Sequence, residues 1–418
     1  MARLHQMADE LMGQVWLRRA EGVVFLNDFS LLLYGLRAGG DFLPQPGEED
    51  RERVTAQILT AHTELRRLDY EFGRALRKLS REAWHEVLWC LKKLSQSGGI
   101  QESVRAMFDI LLQGMYAREK ISYFITPRTL AGMMAEMLKP KPGETVMDPV
   151  CGSGRLLAAA GEECRGCRYI GIDIDKEIRT AAFFHMAFRN MSGVELYQGD
   201  FLKEGRKETA DVILANPPYS DDIHETVSFV EKIMDTLRVG GRCGILVPEG
   251  FLTNVINRDL VTMRQSLLDK YSLEGVISLP RKIYKPYTVS KSSLILLEKH
   301  QAKPEHRVFF SSIPEYDGPE NEFSDRVYEQ SMKAAVKAWE LWKKGTGECS
   351  DTDGNEIFWT ASRNEIRERE YIFGAGHYQT AEYMHRTQQG KELWESIRLE
   401  QEELERIVRH YFREDFTI

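Results

Sequence analysis

A short apolar strand runs directly into a glycine loop in Glu144-Thr-Val-Met-Asp-Pro-Val-Cys-Gly-Ser-Gly154. The residues that follow, from Arg155 to Glu163, have the composition of a helix, so the segment predicts a strand, a loop and a helix in succession. Gly152 and Gly154 have no side chains and allow a ligand to approach the backbone closely. The helix N-terminus adds unpaired N–H groups and partial positive charge. We therefore expect a ligand site at the carboxyl end of this strand.

Strands and helices alternate along the chain after this loop. Further strands are predicted at 169–173, 194–197, 212–215, 243–247, 275–279 and 293–297. Because helices separate most of these strands, the fold class is α/β, with a Rossmann-like, mostly parallel seven-stranded sheet covered on both faces. No helix separates the last two strands, which are predicted to form an antiparallel pair at one edge.

Two helical regions flank the predicted sheet. Residues 1–120 show helical periodicity and are predicted to form an N-terminal helical domain, either a packing platform or a nucleic-acid contact. Residues 121–300 form the α/β domain, and residues 301–418 a C-terminal helical tail. The tail includes predicted helices at 324–344 and 380–411. The apolar stripe of the last helix suits either the chain's own core or a partner helix.

Composition narrows the class of protein. With 418 residues and 42% hydrophobic content, the chain can build two or three domains. Its net charge of −8 argues against a protein that binds nucleic acid alone over a broad surface, although a local basic cleft or a partner could provide the binding surface. No apolar run reaches the roughly 18 residues of a membrane helix, and the N-terminus lacks a signal-peptide pattern. Six cysteines without a regular framework indicate reduced thiols and a cytoplasmic location.

Two acidic residues at predicted strand ends point to a nucleoside ligand. Asp173 ends the second strand, where a carboxylate can accept both ribose hydroxyls. Asp200 follows the third strand and could accept a hydrogen bond from an adenine amino group, or simply form a turn. Leu157 stands where a dinucleotide site would have a third glycine, and no Gly-Lys-Ser/Thr follows. The pattern therefore favours neither a dinucleotide nor a nucleoside triphosphate.

A second motif, Asn216-Pro-Pro-Tyr219, ends the predicted strand at 212–215. The two prolines make this turn stiff, since each fixes φ and lacks an N–H. It can present the Asn216 amide, the Pro217 carbonyl and the Tyr219 ring together. Two oxygen acceptors and a ring suit an amine or amide nitrogen on a planar group.

In combination these motifs resemble those of the amino-methyltransferases, and specifically the modification subunit of type I restriction-modification systems, in the gamma group of N6-adenine DNA methyltransferases. The matching segments are Phe124-Ile-Thr-Pro127, Asp148-Pro-Val-Cys-Gly-Ser-Gly154, Asn216-Pro-Pro-Tyr219, 240–248 and 279–287. The chain departs from the family pattern at Ile125, where a second aromatic residue is usual, and at Tyr123, where Gln is common.

The resemblance implies a class I methyltransferase fold that binds S-adenosyl-L-methionine, with 121–300 as the catalytic domain. The cofactor-binding residues it implies are Phe124, Thr126, Asp148, Cys151, Gly152, Ser153, Gly154, Asp173, Ile174, Asp200 and Phe201. The catalytic residues it implies are Asn216, Pro217, Pro218 and Tyr219. The implied reaction is methylation of a flipped-out adenine. The implied partners are double-stranded DNA, a specificity subunit, a restriction subunit and a second copy of the chain.

Three further features have open interpretations. The basic and aromatic residues between the last two predicted strands could contact phosphate and stack on bases, or form a solvated loop with buried tyrosines. They are Arg281, Lys282, Tyr284, Lys285, Tyr287 and Lys291. The pair Cys164 and Cys167 is half a zinc site, and turn chemistry accounts for it without a metal. The segment 351–356 has part of a calcium-loop pattern and is predicted to be a turn.

Two alternative functions share the same motifs. A protein glutamine N5-methyltransferase would use the same turn, because an amide nitrogen presents similar hydrogens. A non-catalytic, cofactor-binding scaffold of a defence complex would keep the fold without the reaction. The intact Asp148, Asp173 and Asn216 argue against that scaffold. No segment is evident that would read base edges, so another protein is expected to supply sequence recognition.

Overall fold

The computed structural model describes residues 2–15, 22–39, 50–118, 125–203, 205, 209–218, 223–284, 290–316, 322–345 and 358–378. Four of the predicted site residues lie outside this set: Phe124, Tyr219, Lys285 and Tyr287. The predicted helix at 380–411 and the predicted turn at 351–356 lie outside it as well.

The described N-terminal residues are helical, as predicted. The helices are α1 (Ala2–Val15), α2 (Gly22–Arg37), α3 (Arg51–Ala61), α4 (Arg81–Ser95) and α5 (Ile100–Arg118), with 3-10 turns at Thr63–Leu68 and Leu76–Lys78. Asp28 on α2 accepts the backbone N–H groups of Gly73 and Ala75, both at 2.7 Å, and so fastens the second turn to the bundle. Burial raises the pKa of Asp28 to about 6. Among the described residues no helix is both long enough and apolar enough to cross a membrane.

The rest of the described chain is organised around one sheet. Its strands are β1 (Thr145–Asp148), β2 (Arg168–Asp173), β3 (Val194–Gln198), β4 (Ala210–Ala215), β5 (Leu237–Pro248), β6 (Ser272–Ser278), β7 (Ser292–Glu298), β8 (Arg307–Ser312) and β9 (Phe358–Ser362). They lie in the order β3-β2-β1-β4-β5-β7-β6-β8-β9. The first five in this order are parallel, and β7 runs antiparallel to both β5 and β6.

Helices cover both faces of this sheet. They are α6 (Arg128–Leu138), α7 (Arg155–Glu163), α8 (Lys176–Ala187), α9 (Ile223–Thr236), α10 (Glu249–Thr253), α11 (Arg258–Lys270), α12 (Glu322–Lys343) and α13 (Arg363–Glu368). Along β4, Val212 and Leu214 pack with α6, α7 and α12, whereas Ile213 and Ala215 pack with α9 and α11. Because both faces are buried, the strand reads as a continuous apolar run. The predicted α/β class is therefore confirmed.

The strand count and the C-terminal boundary are corrected. The described residues contribute nine strands, not seven, and the β6–β7 pair is interior because β8 pairs with β6 and β9 with β8. The sheet therefore continues past the predicted boundary at 300, and residues 301–418 are not only helical. The sequence did not predict β8 and β9, because α12 separates them and each pairs with a strand that is distant in the sequence.

The predicted helix at 324–344 is α12, and it anchors the C-terminal part to the sheet. Trp339 Nε1 donates to the Met137 carbonyl at 3.1 Å, which joins α12 to α6. Lys343 Nζ lies 2.8 Å from carboxylate oxygens of both Glu274 and Glu298. The Lys343 ammonium thus links the end of α12 to β6 and β7.

Candidate active site

The predicted site residues gather at one edge of the sheet. Asp148, Asp173 and Asn216 end or follow β1, β2 and β4, which are adjacent parallel strands. Carboxyl ends of parallel strands share an edge, so two carboxylates and one amide lie there together. The glycine loop and the proline turn therefore form one candidate site, although about 60 residues separate them in the sequence.

The glycine loop is shaped by left-handed backbone and by close packing. Gly152 and Gly154 have φ values of +49° and +75°, a region that favours glycine. A Cβ on Gly154 would lie 3.1 Å from the Ala182 Cβ on α8. The Cys151 N–H donates to the Ile172 carbonyl at 2.8 Å, which fastens the loop to β2. The glycines therefore allow this loop to lie directly against α8.

Asp173 connects the loop to the end of β2. One carboxylate oxygen accepts the Gly152 N–H at 2.7 Å, and the other accepts the Asp175 N–H at 2.9 Å. Burial raises the pKa of Asp173, while the N–H groups of Asp175 and Gly152 act in the opposite direction. Each carboxylate oxygen can accept a further hydrogen bond. Beside it Ile174 is 62% exposed, so an apolar surface adjoins a hydrogen-bond acceptor.

Asp148 is the most buried acid of this edge, at 1% exposure. Burial raises its pKa to about 8, and the nearby charge of Asp173 adds to the effect. The Val150 N–H donates to it at 3.1 Å. A buried carboxylate of this kind is stabilised by a cationic ligand group, which would lower its pKa. This donor and acceptor set fits a ligand that carries both hydroxyls and positive charge.

A cavity of about 40 Å³ lies between the two motifs. Its lining includes Ile125, Thr126, Asp148, Val150, Cys151, Gly152, Ser153, Arg155, Leu156, Ile178 and Asn216. Complete ligand sites are about 300–1,000 Å³, so a cavity of this size would hold only part of a nucleoside ligand. It places Asp148 on the glycine-loop side and Asn216 on the proline-turn side of one small space.

The Asn216 side chain is oriented by Thr126. Its Nδ2 donates to the Thr126 Oγ1 at 3.1 Å, and Thr126 itself is 6% exposed. Because the amide nitrogen is engaged, the amide oxygen is the atom that remains to accept a hydrogen from a substrate amine. Pro217 is buried and Pro218 is exposed, so the turn leads from the core to the surface.

Comparison with known proteins identifies the family. Residues 101–387 match the sequence model of the family described as N-6 DNA Methylase. The chain belongs to the N-6 DNA Methylase family. It is 22% identical over 307 residues to the type I restriction enzyme EcoEI methylase subunit of Escherichia coli, covering 63% of this chain. The match spans 59% of that relative's length.

Solved structures show the same fold. The type I restriction-modification methyltransferase subunit of Streptococcus thermophilus superposes with a TM-score of 0.64 and 18% identity, covering 91% of this chain and 99% of that one. A chain from a structural study of complex assembly in the type I R-M system also gives a TM-score of 0.64, with 19% identity and coverage of 99% of this chain and 98% of that one. These structures confirm the predicted methyltransferase fold, and the match to the N-6 DNA Methylase family confirms the predicted family.

Within this methylase fold, the end of β3 is more structural than predicted. Asp200 accepts the Leu202 N–H at 3.0 Å and pairs with Lys203 at 2.8 Å, which makes it a turn former. Phe201 is 5% exposed and stacks on Phe229, with ring centroids 6.3 Å apart. Cys151 and Ser153 are also buried. Ile174 is thus the predicted cofactor residue whose side chain is most open to a ligand among those described.

The basic loop is the segment 281–291 between β6 and β7, and its described residues offer fewer side chains to DNA than the sequence indicates. Of the two interpretations left open by the sequence, the burial of Tyr284 (1% exposed) favours the loop with buried tyrosines over stacking on bases. Lys282 Nζ donates to the Tyr316 carbonyl at 3.2 Å. The Lys291 carbonyl accepts the Glu249 N–H at 3.0 Å. Among the described cations of this loop, Arg281 is exposed, whereas Lys282 and Lys291 are partly buried.

Sequence analysis missed two buried groups beside the loop. His185 on α8 is fully buried, and its Nδ1 lies 2.7 Å from the Ser153 carbonyl. The Arg155 side chain is 11% exposed and lies 3.9 Å from Asp109 on α5. Neither residue belongs to a motif, and a histidine within a helix gives no signal of such a contact. The pair Cys164 and Cys167 is buried in the turn before β2, consistent with the turn interpretation.

Proposed function

We propose that this chain transfers the methyl group of S-adenosyl-L-methionine to the N6 atom of adenine in double-stranded DNA. The observation that carries the proposal is the Asn216 amide, fixed by Thr126 at the same sheet edge as Asp148 and Asp173. Membership of the N-6 DNA Methylase family supports it. An acceptor for an amine and a site for a cationic nucleoside would thus meet at one cavity.

The glycine-loop side would hold the cofactor, which supplies an electrophilic methyl group when bound. Asp173 would accept the ribose hydroxyls with lone pairs that its backbone contacts leave available. Ile174 offers an apolar surface for the adenine ring. Asp148 would favour the positive charge of the methionine end, because burial leaves its own charge poorly solvated.

The proline-turn side would activate the adenine. The N6 lone pair is delocalised into the ring, so the amine is a poor nucleophile. The Asn216 Oδ1 and the Pro217 carbonyl would accept its two hydrogens, which favours tetrahedral nitrogen and stabilises the positive charge that develops there. Transfer would form an N6–carbon bond as the sulfur–carbon bond of the donor breaks, and one N6 proton would then be lost to water. Tyr219 would stack on the flipped base, whose extrusion costs a few kcal/mol.

The proposal extends to the assembly. We infer that the chain acts in the cytoplasm as the modification subunit of a type I complex. The specificity subunit would read the DNA sequence, and a restriction subunit and a second copy of this chain would complete the complex. The relatives named as type I methylase subunits support this, and so does the net charge of −8, which leaves much of the DNA grip to partners.

Mapping of methylated adenine in cellular DNA tests the proposal. Cells that carry the chain should show N6-methyladenine at a fixed sequence, and cells with Asn216→Ala should not. Mass spectrometry of the protein fraction for methylated glutamine covers the alternative, since an amide nitrogen could use the same acceptors. Site-specific methyladenine that persists with Asn216→Ala, or methylated glutamine that disappears with it, would contradict the proposal.

A further inference from the structure

Helix α8 is shared between the N-terminal helices and the candidate cofactor site. On one face, Ala181 and Phe184 belong to the hydrophobic core formed by α1 to α5, and so does Phe188, directly after the helix. On another, Ala182 and Met186 lie against the glycine loop, 3.1 Å and 3.4 Å from where a Cβ on Gly154 would stand. The N-terminal helices therefore reach the loop through a single intervening helix.

Polar contacts fix the beginning of α8 to the same N-terminal region. Asn27 Nδ2 donates to the Glu177 carbonyl at 2.9 Å, and Arg74 pairs with the Glu177 carboxylate at 2.6 Å. Arg179 donates to the Leu68 carbonyl at 2.8 Å. Since α8 begins just after Asp173, these contacts also restrain the end of β2.

His185 makes the direct connection to the loop. It is fully buried, and its Nδ1 lies 2.7 Å from the Ser153 carbonyl. A carbonyl only accepts, so Nδ1 carries the hydrogen. Burial lowers the pKa of His185 well below its ordinary value, and the positive charges of Arg189 and Arg155 act in the same direction. The ring is therefore neutral, with its one N–H directed to the loop.

The other side of the ring faces the N-terminal helices. His185 Nε2 lies 3.5 Å from Asp109 Oδ1 on α5, and the Phe108 ring lies 5.4 Å from the imidazole. Asp109 Oδ2 in turn accepts from Arg189 at 2.7 Å. With the hydrogen on Nδ1, Nε2 makes no hydrogen bond to Asp109, and the contact from α5 that holds the ring is its packing against Phe108. The position of the imidazole therefore depends on how the N-terminal helices dock.

We propose that His185 is a positioning residue through which the docked N-terminal helices hold the glycine loop in its ligand-binding shape. These helices then complete the cofactor site and do more than pack beside it. This inference rests on the proposed function for the identity of the ligand, S-adenosyl-L-methionine.

Three substitutions of His185 in the full chain test the proposal. His185→Asn keeps an N–H donor near the Nδ1 position, whereas His185→Gln moves it toward Nε2 and His185→Leu removes it. We expect His185→Gln and His185→Leu to weaken S-adenosyl-L-methionine binding about tenfold, the effect of losing one buried hydrogen bond, and His185→Asn to restore most of it. Isothermal titration gives the affinities. Hydrogen exchange of residues 148–154 in the ligand-free protein should be faster in the two weakened variants.

Arg105→Ala is the matched control, because Arg105 joins α5 to Glu162 on α7 without touching the loop. It should leave affinity and loop exchange unchanged. If the His185 variants do not fold, Phe108→Leu tests the same coupling from α5, because it removes the aromatic contact with the imidazole, and it should also weaken binding. Wild-type affinity in folded His185→Leu, or equal loss in His185→Asn and His185→Gln, would overturn the inference. Failure of the wild-type chain to bind the cofactor would instead overturn the proposed function.

Discussion

The two sides of the site differ in how firmly the chain holds its own polar groups. On the glycine-loop side, both oxygens of Asp173 accept backbone N–H groups, at 2.7 and 2.9 Å. On the proline-turn side, Asn216 is oriented by one side-chain hydrogen bond of 3.1 Å, and Pro218 and Arg281 are exposed. A cofactor that always has the same structure can bind to a preformed site, whereas a base that enters from DNA needs an open approach. We call the glycine-loop side, with Asp148 and Asp173, the cradle.

The pH dependence of cofactor affinity should give the largest effect on the cradle side. Below its pKa of about 8, Asp148 is mostly protonated. A cationic ligand prefers the ionised carboxylate, so affinity should rise as the pH rises, by up to about tenfold per unit below that pKa, and then level off. Isothermal titration between pH 6 and 9 measures this. An affinity independent of pH would contradict the role given to Asp148.

Asp148→Asn is the control for that experiment and has an effect of its own. Because the folded-state pKa is raised, Asp148 contributes stability at low pH that is lost as the pH rises through about 8. The variant keeps an oxygen for the Val150 N–H and removes the buried charge. It should bind the cofactor weakly at every pH, and its thermal stability without ligand should lack this decline. A stability profile identical to the wild type would contradict the burial argument.

Replacement of Thr126 by valine should have a smaller effect, confined to the base side. The hydroxyl that accepts from Asn216 is lost, and the amide can rotate away from its productive orientation. We expect methyl transfer to slow about tenfold, with cofactor affinity unchanged. Single-turnover assays and titration measure the two quantities. Thr126→Ser, which keeps the hydroxyl, should behave as the wild type. If cofactor affinity fell by the same factor as the transfer rate, Thr126 would bind the cofactor, as the family resemblance implies.

The smallest effect is expected at the surface. Arg281→Ala removes an exposed cation at the carboxyl edge, so DNA affinity should fall severalfold and the salt dependence of binding should weaken by about one ion. Lys303→Ala is the matched control, since Lys303 is an exposed cation in the loop between β7 and β8 at the opposite edge. Fluorescence anisotropy at several salt concentrations compares them. Equal losses in both variants would show that the loop has no special role.

The sequence indicates the cradle well because its signals are local. The strand, the loop and the helix that hold Gly152, Gly154 and Asp173 follow one another, and each acid stands at a strand end. Partners distant in sequence give no such signal. The contact between Thr126 and Asn216 joins residues 90 positions apart, and that of Ser153 with His185 joins residues 32 apart. These contacts depend on how helices dock on the sheet.

Burial produces the remaining differences. In the sequence, basic residues flank Tyr284, as is typical of a nucleic-acid contact. In the structure its side chain is buried in the core that includes α12. Helix α12 separates strands β8 and β9 in the sequence, and the pairing of β8 with β6 and of β9 with β8 forms only in the tertiary structure. The spacing of apolar residues predicts which face of a helix or strand is apolar, but it does not predict which other element packs against that face.

The most direct test of a site with two separable sides uses one preparation of Asn216→Ala. Its affinity for S-adenosyl-L-methionine is measured by titration, and its single-turnover transfer to duplex DNA is measured beside the wild type with any specificity partner present. We predict an affinity within about twofold of the wild type and a transfer rate at least about 100-fold lower, the loss typical of one removed acceptor or donor in a charged transition state. Retained transfer, or loss of cofactor binding together with transfer, would contradict the account.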